Sequence, residues 1–286
     1  MNILYIGSSG ALSLIPFRKL LSSEHSITAV GVLNPVVLNN KVIALENESL
    51  SLAANQLGIA IIDLSESLRS IFEQCQNSAF DIILMSCYSK RLPEQIIKLA
   101  RYGCFNLHPS LLPGYRGPEP VFWQMKEAAD MGVSWHQVSY DFDAGDIWRQ
   151  KRCYLDEGAS YTEIIAQLAQ SGAGLIPDLL TDCASGEIKL HKQDSRLASY
   201  YPYLKQQDFT VDRQWSARQA YDFMCATRVF ACPYYCKIGD HTYQLEEALD
   251  YDNNAPLEST EIHEGRLYIP FKEGVLITTF TDKIRD

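Results

Sequence analysis

The chain reads as an α/β protein: a doubly wound, mostly parallel sheet followed by a smaller β-rich C-terminal domain. Three observations predict this. Five short apolar runs in the first half, bounded by Gly, Ser, Asn or Asp, alternate with amphipathic stretches, the pattern of a parallel sheet covered by helices. Near residue 200 the pattern breaks, and shorter β-like runs separated by Gly-containing turns follow. Finally, 47% hydrophobic and 21% charged residues over 286 positions is an ordinary globular composition.

The expected strands are Asn2–Ile6, Ile27–Leu33, Ala60–Leu64, Asp81–Met85 and Cys104–Leu107. Between them Leu12–Leu21, Leu50–Leu57, Leu68–Cys75 and Pro93–Ala100 space apolar residues three and four apart, as helices packed on one face do. Gly7-Ser8-Ser9-Gly10 is read as a tight strand-to-helix turn. It lacks G-x-G-x-x-G spacing, and no acidic residue closes the second strand. Ser195–Asp212 reads as a linker, Ala217–Ala226 as a helix, and Tyr234–Ile238, Thr242–Leu245, Leu267–Pro270 and Val275–Phe280 as strands of a small antiparallel or barrel-like unit. The expected domains are therefore 1–200 and 201–286.

The formal net charge is −10, which argues against a surface built to track phosphates. No apolar stretch approaches the roughly 20 residues of a membrane helix, and Met1–Gly7 lacks the basic start of a signal peptide. Eight cysteines are scattered without a disulfide-like framework, and Cys232-Pro-Tyr-Tyr-Cys236 has only His241 nearby as a further ligand. Small buried thiols, no metal, and a cytoplasmic location are expected.

The chemistry concentrates between Phe105 and Ile147. In a strand, alternate side chains share a face, so Asn106 and His108 point the same way at a strand's carboxyl end, where open α/β sheets bind ligands. Asn106 offers an amide donor for a developing oxyanion, and His108 an imidazole able to act as a proton acceptor. Pro113-Gly114 and Arg116-Gly117-Pro118 make a rigid loop able to wall a pocket. Asp143, in Asp141-Phe142-Asp143-Ala144-Gly145-Asp146-Ile147, can orient His108 and favour its charged form. Asp146 suits a turn or cap.

On Asn106-Leu107-His108, Ser110-Leu111-Leu112-Pro113, Tyr115-Arg116-Gly117, Gly132-Val133-Ser134-Trp135-His136 and Asp143-Ala144-Gly145-Asp146-Ile147, the chain resembles the formyltransferases that use 10-formyltetrahydrofolate. The likeness extends over residues 1–190, and the tail from about Asp208 is more loosely similar to the family's small β-rich C-terminal domain. The resemblance implies a Rossmann-like catalytic domain and 10-formyltetrahydrofolate as cosubstrate. It implies that Asn106 holds the formyl oxygen, that His108 acts as general base or charge stabiliser, and that Asp143 holds His108 and helps move the proton. Tyr115 and Arg116 would shape the loop, and His136 would lie on a strand behind. Folate would dock along the segment after the fourth strand, through Ser86, Cys87, Tyr88, Lys90, Arg91 and Leu92, with Ser110 beside it. Ser110 on its own reads as a turn hydroxyl. Cys87-Tyr88-Ser89-Lys90 departs from the small, Gly-containing sequence of the family at this place.

Charge directs the choice of amine. The piece Asn34–Glu46, where the tRNA-acting members carry a basic loop, has one Lys and one Glu, and Lys205–Asp286 holds nine Lys and Arg against fourteen Asp and Glu. The expected acceptor is a small-molecule amine: an amino sugar on a nucleotide, an N-hydroxyornithine, or a carrier-bound aminoacyl group. The alternatives are methionyl-tRNA, hydrolysis of 10-formyltetrahydrofolate, and a non-catalytic folate binder. Tyr200-Tyr201-Pro202-Tyr203 can stack on a base or sugar, or pack as an aromatic cluster.

Overall fold

The computed structural model describes residues 1–33, 37–38, 41–42, 49–75, 78–255 and 259–285. They form two compact units: 1–117, 131–153 and 165–200 in the first, and 118–130, 154–164 and 201–286 in the second. The expected linear cut at 200 and 201 thus coexists with two earlier segments that pack with the C-terminal part.

In the first unit β1 (Asn2–Ile6), α1 (Ala11–Leu21), β2 (Ser26–Val32), a hairpin β3 (Val37–Leu38) and β4 (Lys41–Val42), α2 (Leu50–Gln56), β5 (Ala60–Asp63), α3 (Leu68–Cys75) and β6 (Ile82–Ser86) follow one another. Then come α4 (Glu94–Ile97) and β7 (Cys104–His108). Most of the piece Asn34–Glu46, whose charge entered the substrate argument, lies outside the described residues. The main sheet has the order β5-β2-β1-β6-β7, all parallel, and is extended by antiparallel β8 (Met131–Gln137) and β9 (Ile147–Cys153). β1 and β6 are almost wholly apolar and buried, and β7 is buried throughout, as strands covered on both faces must be.

One local outcome differs from the sequence reading. The helix expected over Pro93–Ala100 is one turn long: after Ile97 the chain turns so that Arg101 N–H bonds to Phe80 O and Tyr102 N–H to Asp81 O. Helix propensity yields there to the pull of sheet pairing. The Gly7–Gly10 turn is as expected, with Gly10 at φ 80° entering α1 and Ser13 Oγ accepting from Ser8 N–H at 2.9 Å.

α5 (Pro120–Lys126) belongs to the second unit, and α6 (Tyr161–Ala173) and α7 (Ile176–Ser185) follow β9. α8 (Ala217–Thr227) is capped by Ser216 Oγ, which accepts from Gln219 N–H at 3.1 Å. β10 (Tyr234–Ile238), β11 (His241–Asp252), β12 (Glu261–His263), β13 (Arg266–Pro270) and β14 (Val275–Arg285) make an antiparallel sheet of order β10-β11-β14-β13-β12. Register shifts between Gln244 and Asp250 bend β11, letting one long strand serve both ends of the sheet. Its core gathers Phe209, Phe223, Tyr234, Leu245 and Ile269 around Phe122 of α5, whose ring lies 5.0 Å from Phe209 and 5.3 Å from Phe223. Tyr201 stacks on Trp123 at 4.8 Å, an intramolecular use for one tyrosine of the aromatic run.

Candidate active site

The first unit's site is set by register. β7 presents Asn106 and His108 on one face, and antiparallel pairing sets His136 of β8 opposite Asn106 and Ser134 opposite His108. Directly opposed residues share a face, so His136 joins the two expected residues. All three are buried.

The Asn106 amide donates from Nδ2 to His136 Nε2 at 3.1 Å, while His136 Nδ1–H donates to the carbonyl of Gln137 at 3.0 Å. A carbonyl only accepts, so the proton sits on Nδ1 and Nε2 offers its lone pair. Burial lowers the His136 pKa, with the nearby Asp143 charge opposing and the His108 and Arg116 charges assisting. His136 is therefore a neutral acceptor near pH 7.

His108 Nε2–H donates to Tyr115 O at 2.8 Å, which leaves Nδ1 toward Asp143 Oδ1 at 3.5 Å. The same carboxylate oxygen lies 3.7 Å from His136 Nε2, and Asp143 Oδ2 accepts from Gly117 N–H at 3.0 Å. Both His108 nitrogens are thus oriented, one by the loop and one by a carboxylate. A proton arriving at Nδ1 would meet that negative charge at once.

Asp143 is held by backbone geometry. It adopts φ 54°, a left-handed conformation that Asp tolerates better than most residues. At Gly145 an added Cβ would meet Gln137 O at 1.8 Å, so only glycine lets the loop return to β8. Asp146 contributes its main-chain carbonyl to Gln137 N–H at 2.8 Å, whereas its side chain makes no hydrogen bond among the described residues, so a side-chain cap is absent there.

Sequence reasoning missed the brace on this loop. Gln193 Nε2 donates to Asp143 O and to Gly145 O, each at 2.7 Å, and its Oε1 accepts from Arg116 Nη2 at 2.6 Å and Nε at 3.2 Å. Ser199 Oγ accepts from Tyr115 N–H at 2.9 Å. Ser199 falls in the stretch read as a linker and Gln193 just before it, and nothing local in their sequence marks them. His136 was named only through the family resemblance; its place beside Asn106 comes from the β7–β8 register.

A cleft opens where β6 and β7 end, lined by Tyr88, Lys90, Arg91, Leu92, Asn106, His136 and Asp143, with Val138–Phe142 opposite. Arg91 stands 4.7 Å over the ring of Tyr140 and 5.2 Å over that of Phe142, two exposed aromatics that sequence reasoning had not singled out. Burial pushes the Tyr88 phenol up to about 12, so it remains a neutral donor. His108 is not part of the lining and stands behind Asp143. Three expected cosubstrate side chains are also outside it. The Ser86 hydroxyl donates to Leu12 O at 2.7 Å, Cys87 turns at φ 57° with its sulfur accepting from Ser8 Oγ–H, and Ser110 Oγ–H donates to Gly114 O at 2.8 Å. The alternation of β6 explains Ser86: it faces α1 while Met85 before it lines the cleft, and the chain returns to the cleft at Tyr88. Flat apolar walls, two cations and the Asn106 donor suit a flat heterocycle carrying an anionic tail. Among the described residues no cluster of His, Cys, Asp or Glu could hold a metal ion, and no helix is long and apolar enough to cross a membrane.

An open α/β sheet with a polar trio and its histidine partner at the strand ends defines a class, and comparison with known proteins narrows it. The family model described as formyl transferase matches residues 41–180. The methionyl-tRNA formyltransferase of Herpetosiphon aurantiacus is 32% identical over 215 residues, covering 74% of this chain and 69% of that protein. That of Thermotoga maritima is 32% identical over 157 residues, 52% of this chain and 50% of that protein. The chain belongs to the formyl transferase family. It spans about half the length of the first curated relatives it matches. In fold it is similar to the N-formyltransferase of Helicobacter canadensis, solved with folinic acid and dTDP-3-aminofucose, with a TM-score of 0.70 at 15% identity over 99% of this chain and 100% of that one.

Proposed function

We propose that this chain is an N-formyltransferase that moves a formyl group from 10-formyltetrahydrofolate to the amine of a small molecule. The observation that carries the reading is Asn106. One of its amide N–H groups is anchored on neutral His136, and the side chain lines the cleft, leaving the second N–H for an oxygen that gains negative charge. As the amine nitrogen bonds to the formyl carbon, the carbonyl electron pair moves onto that oxygen. Asp143, backed by His108, takes the proton from the amine and returns it to the departing folate nitrogen as its bond to the formyl carbon breaks. Lys90 and Arg91 lie where the anionic end of folate would be met, and main-chain groups of Tyr88–Leu92 would hold the ring.

A small acceptor is favoured by the charge balance of residues 205–286, nine Lys and Arg against fourteen Asp and Glu, and by the amino-sugar nucleotide named with the Helicobacter canadensis structure. Methionyl-tRNA is the second reading, favoured by the names of the curated relatives. The test is tetrahydrofolate release from 10-formyltetrahydrofolate with amino-sugar nucleotides, with N-hydroxyornithine, with initiator methionyl-tRNA and with no amine. Release dependent on a small amine supports the proposal. Comparable rates on methionyl-tRNA, amine-independent release, or none would select tRNA transfer, hydrolysis or mere binding.

A further inference from the structure

We propose that the second unit carries a binding site for a small phosphorylated molecule, in the cavity of about 490 Å³ where Thr210–Gln214 meets Lys237 of β10 and Phe271-Lys272 after β13. Although residues 205–286 are acidic in sum, three of their nine cations, Arg213, Lys237 and Lys272, line this cavity against a single acid, Asp212. Asp212 neutralises neither Arg213 nor Lys272. Its Oδ1 accepts from Gln214 N–H at 2.9 Å, and among the described residues it makes no ion pair with Arg213 or Lys272.

Arg213 is pre-positioned. Its Nε–H donates to Pro270 O at 2.9 Å, which fixes the plane of the guanidinium, and its Nη groups have no protein partner among the described residues. Lys272 is tied to the same frame, its main-chain N–H donating to Arg213 O at 2.9 Å, and its Nζ likewise has no protein partner there. Folding gains nothing from bringing the Arg213 and Lys272 charges together, whereas an oriented guanidinium fork beside the Lys272 ammonium matches phosphoryl oxygens. Phe271, 9% exposed, supplies an apolar wall, and the volume falls within the roughly 300–1,000 Å³ of small-ligand sites. A compact anion feels the focused positive charge of the concavity. A long polyanion would also run over the acidic surroundings.

Calorimetry and amide NMR on the full chain, with pyrophosphate, ADP and adenosine as probes, test the site. Pyrophosphate and ADP are expected to bind, to shift the amides of 210–214 and 271–272, and to lose at least tenfold in affinity in the Lys237→Glu/Lys272→Glu variant. Lys272→Ala, on an exposed side chain, reads the same loss at smaller size should the double variant fail to fold. Adenosine is expected not to bind. Adenosine binding as tight as ADP, no phosphate binding, or binding indifferent to both variants would overturn the proposal. So would a transfer RNA that displaces pyrophosphate with a steep salt dependence, which would make the cavity part of a nucleic-acid surface. Neither folate nor amine enters the assay, so its outcome is independent of the transfer reading.

Discussion

Asn106 and His136 face each other across the antiparallel β7–β8 pair, and the asparagine amide donates to the histidine's Nε2 at 3.1 Å. The bond exists only while His136 is neutral, because an imidazolium has no lone pair to offer. Burial supplies that neutrality, and the Gln137 carbonyl selects the tautomer.

Stability should record this arrangement. The folded pKa of His136 lies below its ordinary value of 6.5. As pH falls through that value, the unfolded chain takes a proton that the folded chain refuses, and stability declines until the lowered folded pKa is reached. Urea unfolding of wild type and His136→Gln at pH 8 and pH 5 is expected to show a smaller pH-dependent loss in the variant. The same loss in both would remove His136 as the cause. In turnover, His136→Gln keeps an acceptor for Asn106 and should retain most of kcat, while His136→Phe should lose roughly tenfold or more with little change in folate KM.

Asn106→Ala removes the donor itself. Its kcat is expected to fall by roughly 10²–10³, the range for a lost oxyanion donor, with folate affinity nearly unchanged because Tyr88, Lys90, Arg91 and Leu92 on one side and Val138–Phe142 on the other still wall the cleft. Steady-state kinetics with a folate-binding titration would decide it. A large loss of binding at normal kcat reverses the assignment.

The two carboxylates of one motif are expected to part company. Asp143→Asn keeps the size but removes the charge beside His108, 3.5 Å away, and should cost at least about 10²-fold in kcat with the fold intact. Asp146, whose side chain makes no hydrogen bond among the described residues, should tolerate Asn with kcat and Tm near wild type. A folded but inactive Asp146→Asn beside an active Asp143→Asn would mean the roles are exchanged.

What was legible in the sequence follows from how locally each feature is encoded. The parallel core announced itself through buried apolar runs such as Ile82–Met85, and Asn106 and His108 through alternation within one strand. His136 depended on the β7–β8 register, a relation between two strands that neither states alone. Helices over 161–185 were not anticipated, nor was the short β12, since a three-residue edge strand carries too little pattern to read. The cosubstrate segment was read as continuous from Ser86, yet its side chains part at Cys87, where a positive φ turns the chain. Gln193 was invisible because its partners are main-chain carbonyls some fifty residues away in sequence.

Gln193 gives the last expectation. Its Nε2 spends both hydrogens on the carbonyls of Asp143 and Gly145, and its Oε1 takes two bonds from Arg116, so the side chain is saturated as donor and acceptor. Gln193→Glu would keep the Arg116 side and set a carboxylate oxygen against two carbonyls that need donors. The loop carrying Asp143 should then shift, with kcat/KM falling roughly tenfold to a hundredfold, since small misplacements of a catalytic group are costly. Protonation restores one O–H donor. The ratio of variant to wild-type kcat/KM is therefore expected to rise as pH falls from 7 toward 5, because carboxylate oxygens crowded by carbonyls hold a proton above the ordinary Glu range near 4.3. Gln193→Ala lacks a titrating group and should show a similar deficit with no such pH rescue. Parallel pH profiles for the Glu and Ala variants, or wild-type kcat/KM in either, would mean that Gln193 does not hold Asp143 in place.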